Sequence, residues 1–434
     1  MMLSFGESLN RLIFELMTSA IFCRGVISFF CASQKGFTMD FLTSIGVLLL
    51  CGLLLGSICK RIHLPSLVGM LVVGIVLSPY ALNLLSPDLL TISADIRQLA
   101  LIIILTRAGL SFDLAELKKN GRSAIMLCFV PALFEIVGYL VFGTWLLDMS
   151  VKDAAIMGCV MAAVSPAVIV PRMLKLKEEG YGTNKGIPQM IMAGASADDI
   201  LVIILFTSLM ALPTGQGFDL GILWKIPCSI ILGIGVGLLF GWLFAKLFKK
   251  VHIRDSIKVI LLICFSIFFI TIENLIESVV PFSGLLAVIA MSAMLYRNHG
   301  VCSKRLSVKY NKLWLVAEVF LFVLVGAEVD IRFALHAGAM IIAVMALAMI
   351  FRLIGVWLCV LGTKLNRKER LFCMIGYMPK ATVQAAIGAI PLSMGLACGQ
   401  TVLTAAVLAI LITAPIGAFL IDIFYKKLLD NSSV

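Results

Sequence analysis

Two adjacent aspartates, Asp198 and Asp199, have the clearest capacity for chemistry in this sequence of 434 residues. They lie inside an apolar run at residues 186–212, long enough to cross a bilayer at about 20 residues per span. A charged group at that depth costs about 2.5–3.5 kcal/mol on insertion scales, and intramembrane acids commonly mark ion pathways or proton relays. Neighbouring helical residues point about 100° apart. We therefore expect one aspartate to face water and an ion and the other to face a cation. Two structural carboxylates in a helix bend are the alternative.

The composition predicts an all-α polytopic membrane protein around these acids. Hydrophobic residues make up 61% of the chain, charged residues 14%, and the mean hydropathy is +1.09. No soluble domain of this size needs so much apolar surface. The net charge of +11 is therefore read as topological, and we expect no nucleic-acid partner. The 12 cysteines are scattered without a CxxC or Cys/His cluster, which favours small buried hydrophobes over disulfides or a metal site. We expect no cofactor and no enzyme.

Thirteen apolar spans are predicted after Asp40, at residues 40–59, 65–85, 94–111, 122–147, 153–174, 186–212, 220–247, 256–275, 280–297, 312–329, 335–361, 370–395 and 400–425. Alternate loops, together with the C-terminal tail, hold 25 Lys or Arg, whereas the other set holds only Lys152 and Arg332. The positive-inside rule places the basic loops and the C-terminus in the cytoplasm. The lipid bilayer is thus an expected partner, and the cell membrane of a bacterium is the expected location.

The first 38 residues are ambiguous. Residues 12–32 are apolar but include Glu15 and Arg24, and no cleavage site of the A-x-A type follows. An extra helix, which would make fourteen, and an extension before a second start at Met39 are both consistent with this pattern. The predicted organisation is an N-terminal extension at 1–38, a transmembrane domain at 40–425 and a cytoplasmic tail at 426–434.

Two patterns recur at similar offsets and predict an internal repeat. A Gly-x-x-x-Asp ending closes one span at 109–113 and another at 326–330, on opposite sides by the loop charges. Proline follows Ser165 in one half and Met378 in the other. Inverted repeats are typical of secondary transporters, whose sites lie near the midplane between broken helices. The predicted units are repeat one at about 40–212, a linker helix at 220–247 and repeat two at about 256–425.

The prolines predict that two spans are interrupted, near residues 164–171 and 378–384. Proline removes a backbone donor and frees carbonyl groups in the preceding turn. Unwound backbone is tolerated at membrane depth where it lines a cavity, and half-helix ends can then coordinate a cation. A simple proline kink is the alternative. The side chains of Ser196, Thr382 and Gln384 could offer oxygens to an ion in this region.

Three more charges inside spans need partners. Glu135 and Arg352 are 217 residues apart, as the repeat would place them, and Lys380 lies in the second interrupted span. We expect Glu135 to pair with Arg352 or Lys380, and Asp198 to use whichever cation remains. Snorkelling of the two cations to an interface is the alternative. Interfacial positions are favoured for charges nearer the span ends, which are Arg97, Arg107, Lys225 and Glu318.

Several motifs closely resemble the monovalent cation/proton antiporters, nearest to the double-aspartate branch that includes animal mitochondrial-type sodium/proton exchangers and their bacterial relatives. The resemblance covers nearly the whole chain after Asp40, and its motifs are Val164-Ser-Pro-Ala-Val, Gly180-Tyr-Gly, Lys185-Gly-Ile-Pro188, Ala197-Asp-Asp-Ile and Met378-Pro-Lys-Ala-Thr-Val-Gln-Ala-Ala-Ile-Gly388. It implies a homodimer with a dimerisation domain and a core domain of six helices. It also implies crossed, unwound helices and elevator-like alternating access.

The resemblance also implies roles for individual residues. Asp199 would carry Na⁺ and H⁺, Asp198 would be its companion, and Ser165 with neighbouring carbonyls such as that of Val164 would complete the ion's shell. Electrogenic relatives have a lysine where this sequence has Arg352. Since arginine does not readily release a proton, the substitution favours electroneutral exchange.

Exchange of Na⁺ or Li⁺ for H⁺ is therefore the leading hypothesis, and exchange of K⁺ is the nearest alternative. A sodium-coupled organic-anion symporter would have a similar architecture. An intramembrane aspartyl protease needs carboxylates from different helices, whereas these are adjacent and no G-x-G-D sequence occurs. A channel is disfavoured because no filter-like repeat is present.

Overall fold

A computed structural model describes residues 39–111, 121–210, 220–251, 253–276, 280 and 282–431, without the side chains of 196, 197, 200 and 220–226. The described chain is helical apart from turns and one isolated bridge. In chain order the helices are α1 (Phe41–Arg61), α2 (Ser66–Leu77), α3 (Pro87–Thr91), α4 (Ser93–Leu110), α5 (Gly121–Leu127), α6 (Val130–Leu146), α7 (Val151–Ala162), α8 (Pro166–Glu178), α9 (Ile187–Met210), α10 (Leu220–Lys250), α11 (Asp255–Ile276), α12 (Gly284–Asn298), α13 (Gly300–Ala327), α14 (Ile331–Cys359), α15 (Arg367–Gly376), α16 (Thr382–Ile387), α17 (Ile390–Ser393) and α18 (Gly399–Leu428). The predicted extension at 1–38 lies outside the described residues.

Every predicted span overlaps helix in the structure. Eight helical stretches of the described chain are long and apolar enough to cross a membrane, and four shorter apolar helices accompany them. The span predicted at 65–85 is wrong at its end, because α2 stops at Leu77 and a turn follows through Ser78 and Asn83, whose φ is +50°. Proline at position 79 explains the stop, since it disfavours helical backbone in the preceding residue. The span predicted at 312–329 is longer, because α13 begins at Gly300.

The helices pack mainly in two groups. The first contains α1, α2, α4 and α10–α13, and the second contains α6–α9, α14–α16 and α18. In the first group α2 and α13 cross with their backbones in close contact: a Cβ on Gly74 would overlap the carbonyl oxygen of Val323, and one on Gly326 would overlap that of Leu71. Small residues permit such approaches between membrane helices, where dispersion contacts drive packing. The first group of helices is therefore tightly packed where α2 and α13 cross.

Two helices of the second group are interrupted, as the prolines predicted, and each interruption is called a break below. Helix α7 ends at Ala162 and α8 begins at Pro166, while α15 ends at Gly376 and α16 begins at Thr382. Pro166 has no N–H to bond the carbonyl of Ala162 four residues earlier, so the helix cannot continue through it. The two breaks touch, because the N–H of Ser165 donates to the carbonyl of Pro379 at 2.9 Å. The crossing brings four half-helix ends together.

Candidate functional site

Asp198 lies on α9 beside the first break and is fully buried. Its Oδ2 accepts the N–H of Val164 at 3.0 Å and Nη2 of Arg352 at 3.0 Å. Its Oδ1 is buried without a hydrogen-bond partner among the described residues. Asp198 is therefore the aspartate that meets a cation. The N–H of Val164 therefore binds this carboxylate, and the expected role of its carbonyl at the ion stays a prediction.

Asp199 has different surroundings, because the next helical residue points about 100° away. It is partly exposed, and within the described part of the chain it makes no ion pair. Its Oδ1 is buried without a hydrogen-bond partner there. Farther along the same face of α9, Val202, Ile203 and Phe206 are fully buried. The two aspartates thus differ as the sequence predicted, with Asp199 the acid that lacks a cationic side chain.

Arg352 lies in the middle of α14 and is also fully buried. Its Nη1 donates to Oε2 of Glu135 at 2.8 Å and to the carbonyl of Ala162, and its Nε donates to the carbonyl of Tyr377 at 2.7 Å. These carbonyls belong to the ends of α7 and α15, where helix dipoles favour positive charge. One guanidinium therefore binds two carboxylates and both interrupted helices, which its planar array of five donors permits.

Lys380, in the second break, binds the same acid. Its Nζ lies 2.7 Å from Oε1 and 2.8 Å from Oε2 of Glu135, and it also donates to the carbonyl of Met161. Nε2 of Gln384 donates to the carbonyl of Ala163 at 2.8 Å. Arg352 donates to the carbonyl of Ala162, so the successive carbonyls of residues 161–163 at the end of α7 all accept hydrogen bonds. Their donors are side chains from the C-terminal half of the chain. These three carbonyls therefore each have a side-chain donor, and the coordination of an ion by carbonyls near Ser165 stays a prediction.

The charge pairing differs in one respect from the expectation of one cation for each acid. Glu135 binds both Arg352 and Lys380, and Arg352 is shared with Asp198. Sequence spacing identified the participants, but it could not show that the guanidinium has donors for both acids. Snorkelling is excluded for both cations, since each is buried and ion-paired.

The other predicted site residues have mixed outcomes. Ser165 is buried in the break between α7 and α8, near Asp198. Its hydroxyl has no hydrogen-bond partner among the described residues. Thr382 is buried at the start of α16, whereas the side chain of Ser196 lies outside the described structure. Arg97, which was expected at an interface, is 5% exposed, and its Nη2 lies 2.8 Å from Oε1 of Glu328 beside the end of α13. Within the described residues, no group of His, Cys, Asp and Glu is arranged to hold a resident metal.

Sequence reasoning missed two sets of residues. Tyr377 holds Arg352 through its carbonyl, and its ring centroid lies 5.7 Å from the guanidinium carbon. Lys185 and Glu369 form an ion pair at 2.8 Å, where Glu369 also completes a capping box with Asn366. The Asn-x-x-Glu spacing before an apolar run was a readable helix-start signal. No comparable signal marked Tyr377.

Crossed, interrupted helices around buried carboxylates define a helical membrane protein of the secondary-transporter class. The transmembrane sodium/hydrogen exchanger family matches residues 45–427, so the chain belongs to that family.

Named relatives and a solved structure agree with this membership. Sodium/hydrogen exchanger 9B2 of Homo sapiens is 32% identical over 387 residues, covering 85% of this chain and 70% of that protein. The Mus musculus protein of the same name is 31% identical over 386 residues, covering 85% and 69%. The sodium proton antiporter MjNhaP1 from Methanocaldococcus jannaschii at pH 8 superposes with a TM-score of 0.77 at 19% identity, covering 90% of this chain and 99% of that one. This last likeness concerns the fold.

Proposed function

We propose that the protein exchanges Na⁺ or Li⁺ for H⁺ across the cell membrane, one for one, and that Asp199 carries both ions. The observation that supports this most strongly is the closed charge network beside Asp199. Two carboxylates, Glu135 and Asp198, are bound by two cations, Arg352 and Lys380, at 2.7–3.0 Å. The four charges balance without Asp199.

Asp199 is then the fifth charge of the group, and its ionised form has no protein cation to balance it. A proton or a small cation can do so, and the two must compete for the same carboxylate. Desolvation favours the protonated form, while a bound cation favours the ionised form. Each passage of the site thus moves either one proton or one cation. Arg352 keeps its proton throughout, so it supplies no second proton for the cycle.

Oxygen ligands for the cation are available next to Asp199. The Ser165 hydroxyl is buried and unpartnered among the described residues, and the carbonyl of Val164 lies in the same chain break. Carboxylate, hydroxyl and carbonyl oxygens suit a hard cation. The names of the relatives, which are sodium/hydrogen exchangers, favour sodium.

Alternating access would expose this site to each side in turn. The buried Val202, Ile203 and Phe206 lie beyond Asp199 towards the external end of α9. We infer that the site is closed to the outside here and that it opens to the cytoplasm, the side assigned to the basic loops.

Flux in proteoliposomes tests the proposal. With a trapped pH dye, Na⁺ and Li⁺ should drive proton movement in the wild type, and K⁺ should not. Asp199→Asn should abolish it while membrane insertion and thermal stability are kept. Asp88→Asn, which changes an exposed acid in the short helix α3, is the matched control and should exchange normally. Wild-type rates in a folded Asp199→Asn protein would contradict the proposal.

A diffusion potential set with valinomycin tests the one-for-one stoichiometry. An inside-negative potential should leave the Na⁺-driven pH change unaltered, because no net charge crosses the membrane per cycle. A clear acceleration or slowing would contradict electroneutrality. If Lys380→Gln then removed that voltage dependence, the second proton would be assigned to Lys380.

A further inference from the structure

Tyr377 follows the end of α15 and is fully buried. Its hydroxyl has no hydrogen-bond partner among the described residues. Burying a hydroxyl without a partner is unfavourable, and phenylalanine would fill nearly the same space without that cost. An unpaired hydroxyl next to an ion site therefore calls for a partner during the transport cycle.

The hydroxyl of Tyr377 is directed at α9. A Cβ on residue 194 would overlap the hydroxyl oxygen, so the contact is possible because this residue is Gly194. Gly194 lies four residues before Asp198, hence on the same helix face. Helical side chains lean towards the N-terminus and cover the preceding turn. The side chain of Asp198 therefore extends over the turn that the Tyr377 hydroxyl approaches.

Asp198 has an unused acceptor in this region. Its Oδ2 is occupied by Val164 and Arg352, whereas Oδ1 is buried without a hydrogen-bond partner in the described chain. A free donor and a free acceptor thus lie over one turn of α9. A single water, or a small change of side-chain rotamer, would join them.

The rest of Tyr377 already holds the cation that binds Asp198. Its carbonyl accepts Nε of Arg352 at 2.7 Å, and its ring centroid lies 5.7 Å from the guanidinium carbon. A cation within about 6 Å of an aromatic centroid is attracted to it. The tyrosine contacts Arg352 through two groups and offers a third to Asp198.

We propose that Tyr377 is a positioning residue of the exchange site: its carbonyl and ring hold Arg352 against Asp198, and its hydroxyl donates to Oδ1 of Asp198, directly or through one water. This inference rests on the proposed function of Asp199. By fixing Oδ1 of Asp198, the hydroxyl holds that carboxylate and Arg352 in one arrangement beside Asp199. Removing the donor should loosen this arrangement and weaken cation binding at the adjacent Asp199, while the charges of the network stay the same.

The test is the Na⁺ dependence of exchange in Tyr377→Phe at one fixed pH. The apparent KM for Na⁺ should rise about tenfold, which corresponds to about 1.4 kcal/mol and is close to the loss of one hydrogen bond to a charged group. The maximal rate and the thermal stability should stay near wild type. Tyr310→Phe is the matched control, a buried tyrosine whose hydroxyl lies 3.4 Å from the carbonyl of Val259, and its KM should not change. A wild-type KM in Tyr377→Phe would overturn the inference.

Gly194→Ala tests the same contact from the other side. The added methyl would overlap the hydroxyl oxygen of Tyr377, and it would also lie 2.9 Å from Cβ of Leu127, so these neighbours must shift. The apparent KM for Na⁺ should rise as in Tyr377→Phe. In the double variant the overlap with the hydroxyl is gone and the close contact with Leu127 remains, so the alanine should raise the KM less than it does alone. An equal additional rise in both backgrounds would show that the hydroxyl is irrelevant.

The two proposals fail in different ways. Exchange that survives Asp199→Asn would refute the proposed function. Loss of exchange in Asp199→Asn, combined with a wild-type KM for Na⁺ in Tyr377→Phe and Gly194→Ala, would refute the role of Tyr377 alone. If Tyr377→Phe does not fold, the KM of Gly194→Ala decides the inference.

Discussion

A lysine–glutamate contact of nearly the same length occurs in two very different parts of this molecule. Lys380 lies 2.7 Å from Glu135 with neither side chain exposed, and Lys185 lies 2.8 Å from Glu369 with exposures of 32% and 1%. The first pair lies within the membrane-spanning helices. The second lies beside the basic loops at 172–185 and 363–370, a region called the basic face below. Distance alone would rank them equal. The surroundings determine what each contributes.

At membrane depth no solvent can replace a lost partner. Glu135 has two cations, and both of these also cap carbonyls at the end of α7. Removing any one group leaves others buried and unpaired, which costs more than the pair itself contributes. The network therefore holds its four charges in place, and under the proposed function it leaves the adjacent Asp199 as the acid that exchanges ions.

At the basic face the pair belongs to a cluster that ties separate segments together. Lys185 precedes α9, Glu369 is in the first turn of α15, and the chain after α18 joins them through the bond from Gly182 N–H to the carbonyl of Asp430 at 2.8 Å. The hydroxyl of Tyr425 donates to Glu179 at 2.8 Å close by. Water and salt reach this cluster, so its contacts are adjustable. The difference predicts graded effects for matched substitutions.

The largest effect is expected for Arg352→Gln. It leaves Lys380 as the one cation of the network for Glu135 and Asp198, and it removes the donor to the carbonyls of Ala162 and Tyr377. The free energy of unfolding should therefore fall by about 3–5 kcal/mol. In Glu135→Gln/Arg352→Gln the remaining Asp198 and Lys380 have opposite charges, so the group stays neutral although no ion pair joins the two among the described residues. The double variant should therefore lose less than the sum of the two single losses, as thermal unfolding in detergent would measure.

Arg305→Gln is the control for that measurement, since this arginine is 55% exposed in its pair with Asp255. Its loss should be within about 1 kcal/mol of zero. Additive losses in the Glu135→Gln and Arg352→Gln cycle would show that these two residues do not interact.

A smaller effect is expected for Glu369→Gln, which is chemically identical to Glu135→Gln. Glutamine can still accept the N–H of Asn366, so the capping box survives and only the charge is lost. Lys185 is partly exposed and can turn to water. The stability loss should be about 1–2 kcal/mol, the range for a hydrogen bond to a charged group. A loss as large as that of Glu135→Gln would contradict the distinction between the two regions.

Most of the helices could be predicted from the sequence because a bilayer-spanning helix needs a long apolar run, which is local information. The breaks could also be predicted, since the loss of a donor at Pro166 acts on the carbonyl four residues earlier. The shared offset of 217 residues indicated Arg352 as a partner of Glu135, with Lys380 as the alternative. These inferences needed only short segments or their spacing.

Contacts between remote segments could not be predicted in the same way. The second carboxylate on Arg352, its two carbonyl partners and the approach of Tyr377 to Gly194 depend on how the two breaks cross. Arg97 was assigned to an interface because it lies near a span end, but depth along a helix does not report burial against a neighbour. The side-chain donors to the carbonyls at 161–163 likewise depend on that crossing.

The smallest effect, and the most discriminating, is expected for Lys185→Gln. Glu369 keeps its bond to Asn366, and Lys185 is one-third exposed, so stability should fall by about 1 kcal/mol or less. The loss should shrink when salt is raised from 0.1 M to 1 M, because the Debye length falls from about 10 Å to about 3 Å. The loss in Glu135→Gln should be nearly unchanged by salt, since mobile ions do not reach a buried pair.

Thermal unfolding of both variants at the two salt concentrations measures this difference directly. If salt diminished both losses equally, Glu135 would have to be in contact with solvent ions, and a closed network beside Asp199 would be untenable. If salt affected neither loss, the cluster at the basic face would be as enclosed as the one in the membrane.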